Sequence, residues 1–570
     1  MNTFITREAI RKPAALFIAV LFVIALSAQT PEWSWAKNDA GTSGYNGANA
    51  VSADQVGNSY IAGSFANATF TLGSITMTNP NAGFDEIFVA KYAANGVVLW
   101  AKSFGGSDQD IANSVITDGT GNIYVSGSFR SASVVFGSFT ITNTAAGYND
   151  IFLVKFDTNG NVIWAKSYGG AYNDVASSVA GDAGGNLYFA GSFSSSSITF
   201  GSCTFSNTAP GGEVSDLFLA KCDQNGNVIW VKSAGGSLSD VANSVTVDPS
   251  GNVYLTGCFY SSSLSFGSYM LTNPNGTNSL FITKYDALGN VLWANGVNAN
   301  KDVVSNSIAS GVSGNIYITG YFKSDTVTFG PTALINPNVS GLGSMFVVKY
   351  DDTGNVDWVR SPAGNSSDVG MSIAVDANEN IYVAGYYDSP TLSFGSLILN
   401  NVAVGRTDVF LAKYDLNGQF LLGKSAGGSD YDYVMAVAAD PSGNIYFAGN
   451  SQSPTIKFDS IVLSNKPYSG DLFIAKLAPA LTGIKKEISN SGITVFPNPT
   501  NGVLCIDLSS AFSEEAEIAI YDVRSRLVFE NKLNDRSSRQ MIDLSTLGEG
   551  LYIVKVNTKE AVYSKRIIKN

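Results

Sequence analysis

The 570-residue chain contains no histidine. That removes Ser-His-Asp and Cys-His nucleophile systems and every histidine-containing metal site, while leaving carboxylate, tyrosine and lysine chemistry open. Cysteine is nearly as scarce. Cys203, Cys222, Cys258 and Cys505 form no close pair and no CxxC, so they read as small buried apolar residues, with a single bridge among the first three left open. Charged residues are only 14% of the chain, so Ser, Thr, Asn and Gly must cover the surface. Beyond the first 30 residues there is no long apolar run and no sustained helical period. Positive charge is short as well: the net charge of −12 argues against a nucleic-acid partner, which needs Lys and Arg to replace condensed counterions. The acid is uneven. Residues 481–570 are net +1 and residues 1–28 net +2, leaving about −15 in the middle. This reads as solubility, with weak cation attraction as the sharper alternative.

What the chain does have begins with an address. Arg7, Arg11 and Lys12 precede an uncharged apolar run from Ala14 to Ala25, and the small residues Ser27 and Ala28 follow. This is the pattern of a signal peptide over residues 1–28. The run is short for a span and no second one follows, so no transmembrane segment is expected in the mature chain.

A chain of this length exceeds what one core sustains, and internal repeats supply the organisation. Trp35, Trp100, Trp164, Trp230, Trp293 and Trp358, with Leu422 in seventh place, recur every 63 to 66 residues. A Gly-Asn-x-Tyr turn carries Tyr60, Tyr124, Tyr188, Tyr254, Tyr317, Tyr382 and Tyr446, with Glu379 replacing glycine in the sixth unit. An aliphatic-Phe-x-x-Lys strand ends at Lys91, Lys155, Lys221, Lys284, Lys349, Lys413 and Lys476. Within residues 174–232, DVASSVAGD reads as an inner strand, LYFAGSF as a second, DLFLAKCD as a third and VIWVKS as an outer one, with SITFGSCTFSN as an inserted hairpin. The Asn-Gly turns supply positive φ. Four antiparallel strands repeated seven times predict an all-β, seven-bladed β-propeller over residues 29–480. The last unit lacks an outer strand and WSWAKN, residues 33–38, precedes the first, so the N-terminal strand is expected to complete the seventh blade and remove open edges. The repeated Trp and Tyr are expected in the core.

NVIWAKSYGGAYNDVASSVAGDAGGNLYFAGSF, residues 161–193, resembles the SBBP-type β-propeller repeat, as do similar stretches across residues 33–480. That family is defined by architecture and implies no activity. After a linker, residues 481–491, the strands of residues 492–570 predict a small C-terminal β-sandwich. Phe496-Pro497-Asn498-Pro499, Asn501-Gly502, Tyr521-Asp522, LGEGLYIVKV and the basic end Lys565-Arg566 with Lys569 resemble the type A sorting domain of the Bacteroidetes type IX secretion system. The resemblance implies Sec export, recognition by the type IX machinery through residues 492–570, passage across the outer membrane, and a secreted or surface-attached product whose tail is commonly removed.

Two motif matches fail on context. Gly418–Ser425, GQFLLGKS, fits a P-loop but occupies the place of GNVIWAKS, a turn and an outer strand rather than a strand-to-helix loop. Gly423–Gly427 fits a nucleophile elbow, yet no histidine exists to act as base. No catalytic or cofactor site is expected. The candidate constellation is a carboxylate ring: Asp110, Asp174, Asp240, Asp302, Asp368 and Asp432 each precede an inner strand, with Asn46 in the first unit, and carboxylate oxygens suit Ca²⁺ or Mg²⁺. The structural alternative is that each Asp accepts bonds from loop amides. Asp302 is the least regular member. The Asp-x-Asn-Gly turns, such as Asp157–Gly160, lack the acid of a calcium loop and read as turns. The expected function is binding, adhesion or scaffolding on the insertion-bearing face, toward a glycan or a protein. The competing reading is a carbohydrate-active lyase or hydrolase with carboxylate and Tyr chemistry in the channel.

Overall fold

The computed structural model describes residues 31–39, 46–209, 211–338, 341–466, 470–479, 486–488, 494–507, 516–522, 526–533, 539–557 and 561–570. The signal-peptide segment and most of the linker lie outside them. The chain divides into two compact units, with Pro31–Pro479 forming one and the residues from Ala480 to Asn570 belonging to the other. Among the described residues every regular element is a strand, and no helix is long and apolar enough to cross a membrane.

Pro31–Pro479 contains six four-stranded antiparallel sheets and one of six strands, in which the hairpin Thr455–Phe458 and Ile461–Ser464 of the last repeat adds to the outer strand Phe420–Gly427 of the one before; the repeats are here units 1 to 7. Unit 2 is typical: the inner strand Asp110–Thr117, the second Ile123–Phe129, the third Asp150–Phe156 and the outer Val162–Tyr168. In unit 7 the outer place is taken by Trp33–Asn38, which pairs antiparallel with the third strand Asp471–Leu477. The two ends of the repeat array are thus tied within one sheet. Inner strands of successive units pack side by side, and that of unit 1, Asn46–Ala53, packs against that of unit 7, Asp432–Ala439.

The inner strands of neighbouring units are stitched by side chains. Asn49, Asn113, Asn243 and Asn306 donate to the carbonyls of Ala112, Ala176, Ser305 and Gly370 in the next unit at 2.8–2.9 Å. The hydroxyls of Ser114, Ser178, Ser244, Ser307 and Ser372 accept amides of the following inner strand at 3.1–3.3 Å. On the outside, Trp100 Nε1 donates to the Thr158 carbonyl of the next unit at 3.1 Å, and its indole covers Gly160 of that turn. The other five repeat Trp do likewise. The Tyr of the Gly-Asn-x-Tyr turns are buried and donate to a turn carboxylate such as Asp54; six of them lie under a Lys ammonium, 4.9 Å from the Tyr60 ring for Lys91, while at Tyr317 the repeat Lys349 pairs with Asp357 at 2.9 Å.

The insertions form two-stranded hairpins, as in Ser133–Phe136 with Phe139–Thr142. They pack against the outer strands of their own unit and the one before. Phe136 lies 4.9 Å from Phe104 of unit 1, and Phe200 lies 5.0 Å from Tyr168 of unit 2. The alternating apolar residues of the hairpins need cover, which the outer strands give.

Glycine in GGS reports a collision avoided. A Cβ on Gly169 would stand 1.9 Å from the Asp150 carboxyl, and one on Gly170 would stand 2.6 Å from the Ser195 side chain. Gly235 stands in the same relation to Asp216, and Gly427 to Asp408. Where the third strand begins with serine instead, at Ser279 and Ser344, the corresponding residues are Asn298 and Ala363.

In the second unit, a five-stranded sheet and the three-stranded sheet of Thr494–Phe496, Val503–Asp507 and Arg539–Asp543 share one core, with Leu504, Ile506 and Ile542 from the smaller sheet meeting Ile518, Ile520, Val554 and Ile567 from the larger. Lys486–Ile488 pairs parallel with the last strand. All four cysteines are free.

The acid–glycine pairing yields a double-mutant test. Gly169→Ala is expected to cost about 2–3 kcal/mol in urea unfolding, by overpacking, and Asp150→Ser, which copies unit 4, to recover much of that loss in the double variant. Additive losses would refute the collision.

Candidate functional site

The six candidate aspartates do not converge. Five of them begin inner strands and are fully buried, each inside its own unit. Asp110 accepts the Gly106, Arg130 and Ser131 amides at 2.9–3.1 Å and the Ser131 hydroxyl at 2.7 Å. Ser195, Ser261, Ser389 and Ser453 donate in the same way to Asp174, Asp240, Asp368 and Asp432 at 2.8–2.9 Å. In unit 1 an amide pair replaces the acid and serine: Asn67 Nδ2 donates to Asn46 Oδ1 at 3.0 Å. In unit 5 the register places Val303 opposite Phe322, where Asp240 stands opposite Phe259 in unit 4. Asp302 therefore falls one residue earlier, half-buried outside the strand, and pairs with Lys323 at 3.0 Å. Among the described residues, no three Cys, Asp or Glu side chains come together where an ion could be held.

A second acid set, not evident in the sequence, starts the third strands: Glu86, Asp150, Asp216, Asp408 and Asp471. Asp150 accepts the Thr144 amide at 2.6 Å and Asp408 the Val402 amide at 2.7 Å, while their other oxygens find no donor. Glu86, Asp150, Asp216 and Asp408 lie close enough to the first-strand Asp of the next unit for the two charges to repel, while the unit after Asp471 has the neutral Asn46 at that place. Burial pushes Glu86, Asp110, Asp240 and Asp408 up to about 6, and Asp174, Asp368 and Asp432 up to about 7; the serine hydrogen bonds only partly offset it.

These positions are common to most units. The place where the repeat breaks is different: the channel end at which the inner strands begin, in units 4 to 7. The sixth residue of the second strand is Ser64, Ser128 and Ser192 in units 1 to 3, but Tyr321 and Tyr386 in units 5 and 6. Position two of the inner strand is aliphatic or glycine in units 1 to 6 and Tyr433 in unit 7. Tyr386 meets Tyr433 edge to face at 5.0 Å, and Tyr433 lies parallel to Tyr431 at 6.2 Å. The Arg406 guanidinium sits 4.7 Å over the Tyr431 ring, donates to its hydroxyl at 3.1 Å and pairs with Asp430. Lys323 lies 5.8 Å over Tyr321, and Tyr260 is exposed beside Asn278, which donates to its hydroxyl at 2.7 Å. The result is a crescent of half-buried phenols edged by neutralised ion pairs. No single motif encodes it; the departures from the repeat were its signal in the sequence.

The motif traps resolve as expected. Gly418 is a turn residue under Trp358, and Lys424 lies in the strand Phe420–Gly427 and pairs with Asp459 at 2.6 Å.

Residues 229–257 match the family model of the SBBP β-propeller repeat, and residues 494–570 match the secretion system C-terminal sorting domain. The chain carries a β-propeller and a type IX sorting tail. That tail marks the protein for export through type IX secretion, to the cell surface or the medium. The chain is similar to an uncharacterized WD repeat-containing protein of Acanthamoeba polyphaga mimivirus, 24% identical over 79% of this chain and 36% of that one. It is also similar to the regulatory protein FlaEY of Caulobacter vibrioides, 25% identical over 31% of this chain and 20% of that one. The matches thus span about a third or less of those relatives' length. Among solved structures, similarity extends to a chain of the mitotic checkpoint complex (9% identity, TM-score 0.38, 84% of this chain and all of that one). YCF48 bound to D1 peptide is similar at 11% identity and TM-score 0.34, over 80% of this chain and 98% of that one.

The buried acids set a pH dependence. They ionise near 4 in the unfolded chain and at about 6–7 in the fold, so their stabilisation is full below 4 and is lost as pH rises through 7. Asp118, Asp157 and Asp223 are held below the usual range by turn amides and act oppositely, losing their contribution below 4. The melting temperature is expected to rise as pH falls from 8 to about 5 and to drop again under 4, and Asp174→Asn, copying Asn46, should flatten the upper slope. A melting temperature that climbs from pH 5 to 8 would contradict this.

Proposed function

We propose that the protein is an exported seven-bladed β-propeller with a C-terminal β-sandwich, acting at the cell surface as a binding module that engages carbohydrate on the tyrosine crescent. The domains are read as a signal peptide to residue 28, the propeller to residue 480 and the sorting domain from 492. The observation that carries the proposal is the break in symmetry: four consecutive units place Tyr260, Tyr321, Tyr386 and Tyr433 at one mouth of the channel, where units 1 to 3 have no tyrosine at the corresponding positions. Phenol faces offer sugar C–H surfaces an apolar platform, and the hydroxyls with Asp302, Lys323, Asp388 and Arg406 supply polar contacts around it. The ion pairs Lys323–Asp302 and Arg406–Asp430 leave little net charge there, which favours a neutral glycan. We read the protein as a binder rather than a hydrolase or lyase: the buried acids are occupied in holding loops, and the crescent offers no pair of free carboxyls across a cleft.

A glycan array tests the crescent. Binding by the exported protein is expected, independent of calcium, and should fall at least tenfold in Tyr386→Ala and Tyr433→Ala with the melting temperature kept within a few degrees. Retained binding in both variants, or strict calcium dependence, would sink the crescent as the site. Deleting residues 492–570 should leave the propeller inside the outer membrane, read by fractionation.

A further inference from the structure

The opposite end of the channel, where the inner strands finish, holds a cavity of about 830 Å³ between the strand ends of units 1 to 4. A smaller one of about 240 Å³ adjoins it, shares Gly181, Asp182 and Ala183, and reaches Ser310–Val312 of unit 5. We infer that this trough is a second binding site, for a neutral polyhydroxylated chain such as an oligosaccharide.

The trough is centred where unit 3 has lost side chains. Its strand end and turn read Gly181-Asp182-Ala183-Gly184, against Val247-Asp248-Pro249-Ser250 in unit 4 and Val375-Asp376-Ala377-Asn378 in unit 6. The loss also interrupts a row of hydroxyls. At the seam of units 1 and 2, Thr117 Oγ1 donates to the Ala53 carbonyl at 3.2 Å and lies 3.4 Å from Ser52 Oγ. At the seam of units 4 and 5, Ser310 Oγ donates to the Val247 carbonyl at 2.9 Å and lies 3.2 Å from Thr246 Oγ1. At the two seams between them, the hydroxyl's place is held by Gly181 and Val247, which have none. Ligand hydroxyls can fill these two gaps, donating toward the Thr117 and Gly181 carbonyls.

The remaining lining selects against charge. Asp118 spends both oxygens on its own turn, accepting Thr120 and Asn122 amides at 2.9 Å, Asn122 Nδ2 at 2.8 Å and Tyr124 OH at 3.1 Å. Asp182 does the same with Asn186 and Tyr188. No Lys or Arg lines the cavity. Ile116 and Ala180 give an aliphatic floor and Gln224 an amide wall, so contact is through hydrogen bonds and C–H groups rather than ring stacking, which separates this site from the crescent.

The test uses the full exported protein and saturation-transfer NMR with glucose, mannose, galactose, rhamnose, maltose and cellobiose as probes. Gly119 has an ordinary φ, and a Cβ there would approach only the Gln55 amide, at 3.8 Å, so Gly119→Trp fills the lip without straining the turn. Gly181→Ser restores the missing hydroxyl. The expected result is a signal from at least one probe that weakens at least tenfold in Gly119→Trp, weakens in Gly181→Ser and is unchanged in Tyr386→Ala and Tyr433→Ala. The inference is overturned if no probe gives a signal that Gly119→Trp removes while that variant melts like the parent. Failure of the crescent on the glycan array leaves this outcome unaffected, because the variants are separate.

Discussion

Closing a ring of twisted sheets poses a problem that a flat sheet does not have. Inner strands of adjacent sheets stand side by side at an angle that forbids a continuous ladder, yet their backbone groups are too enclosed to be left to solvent. Here the shortfall is met by short side chains at a fixed place. Each inner strand bulges after its third residue, and there Asn113 donates to Ala176 O while Ser114 accepts the Val179 amide. The bulge has its own cost. The carbonyl of Ile111, two residues before Asn113, drives into the second strand, where only Gly127 leaves room, since a Cβ would lie 2.0 Å from it. The Gly of every second strand follows from that one contact.

A second consequence concerns charge. A loop must return from each outer strand to the next inner strand across the end of the sheet, and its buried amides need acceptors. A carboxylate supplies two oxygens, but at the cost of desolvation, and the third-strand acids add a like charge nearby. Asp174 and Asp150 show the compromise: loop amides and Ser195 satisfy most lone pairs, Gly169 and Gly170 make space, and burial with repulsion keeps the acids easily protonated. The same chemistry that makes an acid ring look like a cation site in sequence makes it an internal brace in the fold.

Much of this was legible beforehand because repeats turn one reading into seven. Strand order, hairpin insertions, the burial of the Tyr landmarks and the pairing of Trp33–Asn38 with Asp471–Leu477 all follow from spacing alone, whereas of the repeat Trp expected in the core Trp100, Trp230 and Trp293 are only half-buried, on the outer strands. What was not legible depended on direction. Sequence places the insertion in a loop, but whether the hairpin turns toward the channel or the outer wall is decided by which surface can cover Phe136 and Phe200. Likewise the phase of Asp302 hangs on one residue of register: Asp110, Asp174, Asp240 and Asp368 stand ten residues after a repeat Trp, and in unit 5 that place is Val303. The crescent escaped because Tyr386 and Tyr433 are 47 positions apart and lie in different strands, where motif spacing has nothing to report.

Repetition also bounds where recognition can reside. A position filled identically in seven units answers to the seven-fold packing problem, and changing one copy is penalised by its neighbours. Ligands rarely share that symmetry, so selectivity must come from positions the packing leaves free. Two such zones exist in this ring and they differ in kind. Units 4 to 7 add side chains at one mouth, replacing serine and aliphatic residues with phenols. Unit 3 subtracts them at the other, leaving Gly181 and Gly184 where larger residues stand elsewhere. Neither change touches the Asn and Ser stitches or the acid–serine braces, which is why a fold this constrained can tolerate both.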